Sequence, residues 1–402
     1  MPEFWSFGIP DPVSEDLSGL VVARPDHPGL HIFNHSARFL WCALRNGTPV
    51  DRLAEQFAEH FGIPLHQAAF DVSSTLSAWS KTLLSSAVPA LVSFPSSSEA
   101  SPPVPPLPPP SAFLFTADYA LGVTSFRLFA SDPDFIDEIR PRLAHLAVPT
   151  NSAPPPPPQE RHIFYVFRTP GDLLLHVFCG PTLLGSEPDS AVARTILLQE
   201  IARLAHHPDT QWLTILHAAA CASPTTGQAV ILPAATNSGK STLTAALLHS
   251  GLQILSDDSA AIDHASRQIV SLPFALMLRQ GSWPILTPYF PELASTPTFH
   301  RNGDHVRFLP PPVTNGPLLP AVPKCLLFVT YDPAAAETTN LQPLNTLQSL
   351  CALQKSGFWV PHTRPAIAAF LTWVQALPAY QLTYSRLADA VPRIHELLQA
   401  NS

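Results

Sequence analysis

Residues 234–242 read AATNSGKST, that is, Ala234, Ala235, Thr236, Asn237, Ser238, Gly239, Lys240, Ser241 and Thr242. The apolar run 229–232 before this loop predicts a buried strand, and the run 243–248 after it predicts a helix that ends near Gly251. A strand, a small-residue loop, Gly-Lys-Ser and a helix are the context of a phosphate-binding loop. In such a loop, backbone amides and the helix N-terminus bind phosphate oxygens, the lysine neutralises them, and the serine hydroxyl reaches Mg²⁺.

The loop departs from the usual pattern of two glycines followed by Lys and Ser or Thr. Ala234 stands where the first glycine belongs. Asn237 tolerates a positive φ better than most residues, so a tight loop is still expected. The alternative interpretation is an ordinary strand, turn and helix that carries Gly-Lys-Ser by chance.

Two adjacent carboxylates follow the next predicted strand. That strand covers 252–255, and Asp257 and Asp258 come just after it. The intervening helix is short, so we expect both carboxylates at the C-terminal edge of a neighbouring strand, beside the phosphates. One can hold Mg²⁺ while the other accepts a proton from an attacking hydroxyl. His217, at the end of the preceding strand, could tune such a carboxylate, or it could be an ordinary core histidine.

His217, the loop that ends in Ser238-Gly239-Lys240-Ser241-Thr242, and Leu255-Ser256-Asp257-Asp258 together resemble the C-terminal catalytic domain of HPr kinase/phosphorylase. The likeness is strongest to the shortened HPr kinase-related proteins of peptide-modification systems, and it covers about residue 112 to the C-terminus. It implies an α/β P-loop kinase-like domain that transfers a phosphoryl group from ATP to a hydroxyl. By that analogy Asp257 is the base, Asp258 and Ser241 serve Mg²⁺, and His217 supports the base.

A triphosphate needs more than one cation, and Lys240 supplies the first. Arg279 and Arg307 are the next candidates, because each lies beside aromatic or proline-rich loop residues. Spacing along the chain leaves the choice between these two arginines open. We assign Arg279, together with the loop residues, to nucleotide binding.

Residues 1–90 predict a separate small α+β module. Two short strands, 20–22 and 30–33, precede three helices, of which the first is capped by Asn34. The third helix is expected to carry Phe70, Val72, Leu76 and Trp79 on or near its buried face. Strands followed by three short helices are typical of a winged helix-turn-helix.

The module carries more acidic than basic residues, which argues against DNA binding. Residues 30–41, LHIFNHSARFLW, with Asn46-Gly47-Thr48, resemble the PqqD-type fold, also called the RiPP recognition element. The resemblance implies that the module binds a leader peptide as an added strand on a sheet edge. The alternative is a structural cap on the kinase-like domain.

Two proline-rich segments divide the chain further. Residues 91–111 predict a semi-rigid Ser- and Pro-rich linker, and the run near 150–160 predicts an insertion loop within the second domain, 112–402.

Composition limits the classes of protein to which the chain can belong. The net charge of −8 argues against a nucleic-acid partner, and no apolar run is long enough to span a bilayer. The five cysteines are scattered, without a C-x-x-C pair, as expected for reduced thiols in a cytoplasm. The N-terminus has no apolar signal-peptide core, and a homo-oligomer is left open.

These features predict an ATP-dependent, Mg²⁺-dependent kinase of a Ser or Thr hydroxyl on a ribosomally made precursor peptide. A non-catalytic nucleotide-binding peptide scaffold and a kinase of a phosphocarrier protein are the alternatives.

Overall fold

The structure is a computed structural model that describes residues 3–10, 17–83, 105–121, 124–148, 161–169, 171, 173–206, 211–235, 238–301, 303–312, 321–334 and 339–399. Residues 91–104 of the expected linker, the expected insertion loop at 150–160, and the loop residues Thr236 and Asn237 lie outside these ranges.

The described residues form a mixed α/β fold. The helices are α1 (His35–Arg45), α2 (Val50–Phe61), α3 (Leu65–Lys81), α4 (Pro133–Leu143), α5 (Ser190–His206), α6 (Lys240–His249), α7 (Trp283–Leu286), α8 (Thr346–Ser356), α9 (Arg364–Ala376) and α10 (Leu387–Gln399). The strands are β1 (Trp5–Pro10), β2 (Leu17–Arg24), β3 (His27–Phe33), β4 (Phe115–Leu121), β5 (Thr124–Ala130), β6 (Arg161–Arg168), β7 (Leu175–Cys179), β8 (Thr182–Glu187), β9 (Trp212–Leu216), β10 (Ala218–Ala222), β11 (Gln228–Pro233), β12 (Gln253–Ser256), β13 (Ala260–Asp263), β14 (Ile269–Val270), β15 (Leu276–Arg279), β16 (Phe299–Arg301), β17 (Asp304–Leu309), β18 (Val322–Tyr331), β19 (Asn340–Leu344), β20 (Phe358–Trp359) and β21 (Ala379–Tyr384). Among these helices, none combines the length and the apolar character needed to cross a membrane.

The chain folds into two compact units. Unit 1 comprises Met1–Ser93, Pro343–Lys355 and Val360–Ala379, and unit 2 comprises Phe94–Gln342, Ser356–Trp359 and Tyr380–Ser402. The boundaries differ from the sequence prediction, because unit 1 takes α9 and nearly all of α8 from the C-terminal part of the chain. Helical periodicity shows that one face of a helix is buried, but it does not show which core receives that face.

In unit 1, the antiparallel sheet β1–β2–β3 precedes α1, α2 and α3. The Asn34 side chain accepts a hydrogen bond from the Ala37 amide and caps α1, as expected. Phe33, Trp41 and Trp79 pack together in the core between sheet and helices. Two expectations need correction. Strand β1 was not predicted, because its sequence WSFGIP contains Gly and Pro. Phe70 on α3 is 69% exposed instead of buried.

The C-terminal segments of unit 1 pack on the other face of its sheet. Strand β2 is buried on both faces, since Val21 and Val22 are both fully buried. Leu347 of α8 lies against Gly19, where an added Cβ would stand 2.8 Å from Leu347 Cδ1. His362, just before α9, donates a hydrogen bond from Nε2 to the Arg24 carbonyl. Strand β2 therefore contacts both α8 and the segment just before α9.

Unit 2 contains a six-stranded sheet in the order β12–β10–β11–β18–β21–β19, with α6 and α10 packed on it. A five-stranded sheet, β4–β5–β6–β7–β8, forms a second core with α4 and α5. The remaining sheets are β14–β13–β9–β20 and β15–β17–β16. Asp132 caps α4 by accepting a hydrogen bond from the Phe135 amide, and β6 pairs antiparallel with β7.

Strand directions in the six-stranded sheet bring the predicted site residues to one edge. Strand β10 is antiparallel to both β11 and β12, so the start of β10 lies beside the C-terminal ends of those two strands. His217 precedes β10, the loop that leads to Lys240 follows β11, and Asp257 follows β12. One detail was wrong: β12 neighbours β10 and not β11, so the carboxylates lie one strand further away than expected.

Candidate functional site

The loop before α6 is held by two tyrosines. Gly239 has a φ of +87° and is the N-cap residue of α6. The Tyr331 amide donates to the Ser238 carbonyl at 3.0 Å, and Tyr384 Oη donates to the Gly239 carbonyl at 3.3 Å. Glycine is required here by both the backbone angle and the close packing, because a Cβ at 239 would lie 2.7 Å from Tyr384 Oη.

The predicted loop residues that the structure describes divide into two groups. Ala235, Ser238, Gly239, Lys240, Ser241 and Thr242 line a cavity of about 760 Å³. Ala234 is only 4% exposed and packs in the hydrophobic core, so its methyl group occupies space in the interior. The Ser238 hydroxyl is buried and has no hydrogen-bond partner among the described residues.

Lys240, Asp258 and His217 meet at the sheet edge. Lys240 is buried, and its Nζ donates to Asp258 Oδ1 at 3.2 Å. His217 Nδ1 donates to the Asp258 carbonyl at 3.2 Å and lies 3.5 Å from Asp258 Oδ1. His217 therefore contacts Asp258 at this edge of the sheet.

The charges in this cluster shift the pKa values of its side chains. Burial alone would raise the pKa of Asp258, but the Lys240 ammonium, His217 and Arg142 outweigh it and hold this pKa well below the usual range. Burial, and then the Lys240 charge, lower the pKa of His217. Asp258 is therefore an ionised carboxylate beside a neutral imidazole at pH 7.

Asp257 has a different environment from its neighbour. It is 6% exposed, and its Oδ2 accepts a hydrogen bond from the Met277 amide at 3.0 Å. Its Oδ1 is buried with no hydrogen-bond partner in the described part of the chain. Burial, and then the negative charge of Asp258, raise the pKa of the Asp257 carboxyl. The two adjacent carboxylates thus differ in the direction of their shifts, as an acid–base residue and a metal ligand would.

Arg142 is a site residue that the sequence interpretation missed. It lies near the C-terminal end of α4, is 4% exposed, and its positive charge lowers the pKa of both Asp257 and Asp258. Its Nη2 lies 3.7 Å from Met277 Sδ, and its guanidinium lies over the Phe308 ring. The signal was an arginine three residues after Ile139 and seven after Phe135, on the apolar face of a predicted helix.

The two arginine candidates have different surroundings. Arg279 lines the larger cavity and pairs with Asp304 at 3.0 Å. Arg307 lies 4.1 Å over the Trp283 ring and donates to the Leu293 carbonyl at 2.6 Å, so it holds loops together. Arg386 also lines the larger cavity and was not predicted.

A second cavity, of about 290 Å³, adjoins the first. His217 and Asp258 line both cavities, whereas Asp257 and Arg142 line the smaller one. The cluster around Lys240 therefore lies between the larger cavity, which the loop before α6 lines, and the smaller cavity, which the buried carboxylate of Asp257 lines.

Within the described ranges, no group of three or more His, Cys, Asp and Glu side chains could hold a metal ion by itself. Mg²⁺ is commonly held by one or two carboxylates, waters and substrate phosphates, for which such a group is not needed. Ser241 and Asp258 both line the larger cavity, and their oxygens suit this ion.

Neither a scan against models of known protein families nor a search of curated proteins found a match to this chain.

Proposed function

We propose that the chain is a kinase that transfers the γ-phosphoryl group of ATP to a Ser or Thr hydroxyl of a precursor peptide. The observation that carries this proposal is the meeting of Lys240, Asp258 and His217 between two cavities, with the raised-pKa carboxyl of Asp257 in the smaller one. Such an arrangement suits a reaction between a phosphate donor on one side and a hydroxyl on the other.

The larger cavity would hold the nucleotide. Lys240 would bind β- and γ-phosphate oxygens, and the amides at the start of α6 would bind the same anionic group. Ser241 and Asp258 would hold Mg²⁺, which neutralises charge on the transferring phosphate. Arg279 and Arg386 line the same cavity and would add positive charge.

The smaller cavity would receive the acceptor. The acceptor oxygen attacks the γ-phosphorus, its proton passes to Asp257, and the bond from the γ-phosphorus to the bridging oxygen breaks to release ADP. A carboxyl with a raised pKa is a stronger base than an ordinary aspartate, which supports this role. His217 would position Asp258 through the hydrogen bond to its carbonyl.

Unit 1 would bind the leader part of the precursor. Its three-stranded antiparallel sheet has two edge strands among the described residues, β1 and β3, and backbone pairing at a sheet edge gives affinity for an extended peptide. Binding the leader raises the effective concentration of the acceptor at the catalytic centre. This proposal places the protein in the cytoplasm, where ATP and ribosomal precursors are present.

Transfer of labelled phosphate tests the proposal. The protein is incubated with Mg²⁺, γ-labelled ATP and Ser- or Thr-containing precursor peptides, and labelled phosphoester is measured. Label on the peptide hydroxyl with wild type, and none with Lys240→Ala, is the expected result. Tight ATP binding without any transfer would favour the peptide scaffold instead.

A further inference from the structure

The walls of the smaller cavity are largely apolar. They are formed mainly by α5, β9 and the β20 segment, and the large side chains are Leu198, Trp212, Ile215, Phe274, Phe358 and Trp359. Its volume of about 290 Å³ is at the lower end of the range for ligand pockets, about 300–1,000 Å³. This space suits a few side chains of an extended segment and not a folded protein surface.

Two buried polar atoms of this cavity lack hydrogen-bond partners among the described residues. One is Arg142 Nε, a donor, and the other is Asp257 Oδ1, an acceptor. Both residues line the cavity and are more than nine-tenths buried. Buried polar groups in native proteins nearly always find a partner. Neighbouring atoms cover both of these atoms, so a ligand in the cavity would supply the two counterparts once the side chains of Arg142 and Asp257 turn toward it.

A hydroxyl-bearing amino acid within a peptide has both counterparts. Its hydroxyl can donate to Asp257 Oδ1, and a neighbouring peptide carbonyl can accept from Arg142 Nε. The residues that flank the hydroxyl would lie against the aromatic and aliphatic walls. A charged flanking side chain would lose its hydration against these apolar walls, and this loss costs free energy. Arg194 also lines the cavity, but its Nη1 donates to Glu138 Oε2, so a carboxylate already neutralises this charge.

We propose that the smaller cavity selects a Ser or Thr that is flanked by large apolar side chains. This inference rests on the proposed function, because it names the acceptor class of the same catalytic centre. Arg142 is the carbonyl-binding residue and the aromatic walls determine the specificity.

Binding of short capped peptides measures this preference without relying on catalysis. The probes are acetyl-Phe-Ser-Phe-amide, acetyl-Glu-Ser-Glu-amide and acetyl-Phe-Ala-Phe-amide, and affinity is measured by calorimetry with the full-length protein. We expect the first peptide to bind at least about tenfold more tightly than either of the others. Equal affinity for the first two peptides, or no binding of the first, would overturn the inference.

A cavity-blocking variant locates the binding. Thr195 is an exposed residue of α5 that lines the cavity, and its hydroxyl bonds to the Ala191 carbonyl one turn earlier. Thr195→Trp should weaken binding of the Phe-Ser-Phe peptide at least about tenfold and leave ATP affinity unchanged. The matched control is Thr372→Trp on α9, because Thr372 is also exposed and bonds to the Ala368 carbonyl in the same way.

The two proposals fail in different ways. If Thr195→Trp and Thr372→Trp bind the peptide equally well, the assignment of the smaller cavity to the acceptor is wrong. This conclusion holds even when wild type binds ATP and Lys240→Ala abolishes ATP binding. If Lys240→Ala binds ATP as wild type does, the kinase proposal itself is wrong. Arg142→Lys, which keeps the charge, is a second variant for the carbonyl contact and should weaken peptide binding without changing ATP affinity.

Discussion

Lys240 Nζ lies 3.2 Å from Asp258 Oδ1, although the lysine begins α6 and the aspartate follows β12. The pair forms because the C-terminal ends of β11 and β12 lie at one edge of the sheet, with the start of β10 between them. Lys240 is buried, so its position is fixed by this carboxylate and by packing and not by solvent. A cation held in place before a ligand binds costs less ordering free energy on binding.

Lys240→Ala should weaken ATP binding by about tenfold to a hundredfold. The variant removes a charge-assisted hydrogen bond to phosphate, which contributes about 1.5–3 kcal/mol. Calorimetry with ATP and Mg²⁺ measures the change. Lys355→Ala is the control, because Lys355 is an exposed lysine of α8, and equal affinities for the two variants would contradict the phosphate-binding loop.

Asp257→Asn should lower the transfer rate by about a hundredfold or more while ATP affinity stays near that of wild type. The amide keeps the shape of the carboxyl but cannot accept the proton, and general-base catalysis contributes about 10²–10⁴-fold. Asp258→Asn should instead raise the Mg²⁺ concentration needed for activity. The readouts are single-turnover transfer and ATP titration. Full activity of Asp257→Asn would show that the proton goes elsewhere.

Gly239→Ala should destabilise the protein and weaken ATP binding. The new Cβ would lie 2.7 Å from Tyr384 Oη and 2.9 Å from Tyr331 Cβ, at a φ of +87°. Gly251→Ala is the matched control, since Gly251 has a φ of +98° and nothing within 4 Å of an added Cβ. Both variants carry the left-handed backbone cost of about 1–2 kcal/mol, but only the first carries the clash. If the two variants had equal denaturation midpoints and equal ATP affinities, the result would argue against the contacts of Gly239 with the two tyrosines.

Local patterns in the sequence predicted the elements around the site. Strand β11 and helix α6 each follow from residues within a few positions of one another. The expectation that His217 and Asp258 lie near Lys240 also agrees with the structure.

Long-range packing was not predictable in the same way. Arg142 reaches Met277, which is 135 residues later, and no local pattern connects these two residues. For the same reason the sequence did not predict that α8 and α9 belong to unit 1, because these helices follow unit 2 segments in the chain. Phe70 matched an apolar helix pattern, yet tertiary packing leaves it exposed.

Stability should fall as the pH decreases through about 6.5, and His145 should contribute to this fall. Burial lowers the pKa of His145, whose Nε2 donates to the Pro273 carbonyl at 2.8 Å. The unfolded chain therefore takes up the proton first, so the stabilisation is present above the unfolded pKa of about 6.5 and is lost below it. His145→Gln keeps an amide donor and should flatten the pH dependence of urea unfolding between pH 7 and 5. An unchanged slope would exclude this contribution.

The last prediction concerns peptide binding by unit 1. Deleting residues 1–90 is an unsuitable test, because it would remove strand β2, which contacts Leu347 of α8 and His362 just before α9. Phe70 offers a point substitution instead, since it is a 69% exposed aromatic on α3, and exposed aromatics commonly anchor peptide partners. Phe70→Glu should raise the apparent KM for a full-length precursor severalfold and leave the KM of a leaderless acceptor fragment and the ATP affinity unchanged. Leu173→Glu is the control, because Leu173 is 81% exposed in unit 2. If Phe70→Glu slows both acceptors equally, unit 1 acts through the structure of the protein and does not bind the leader at this residue.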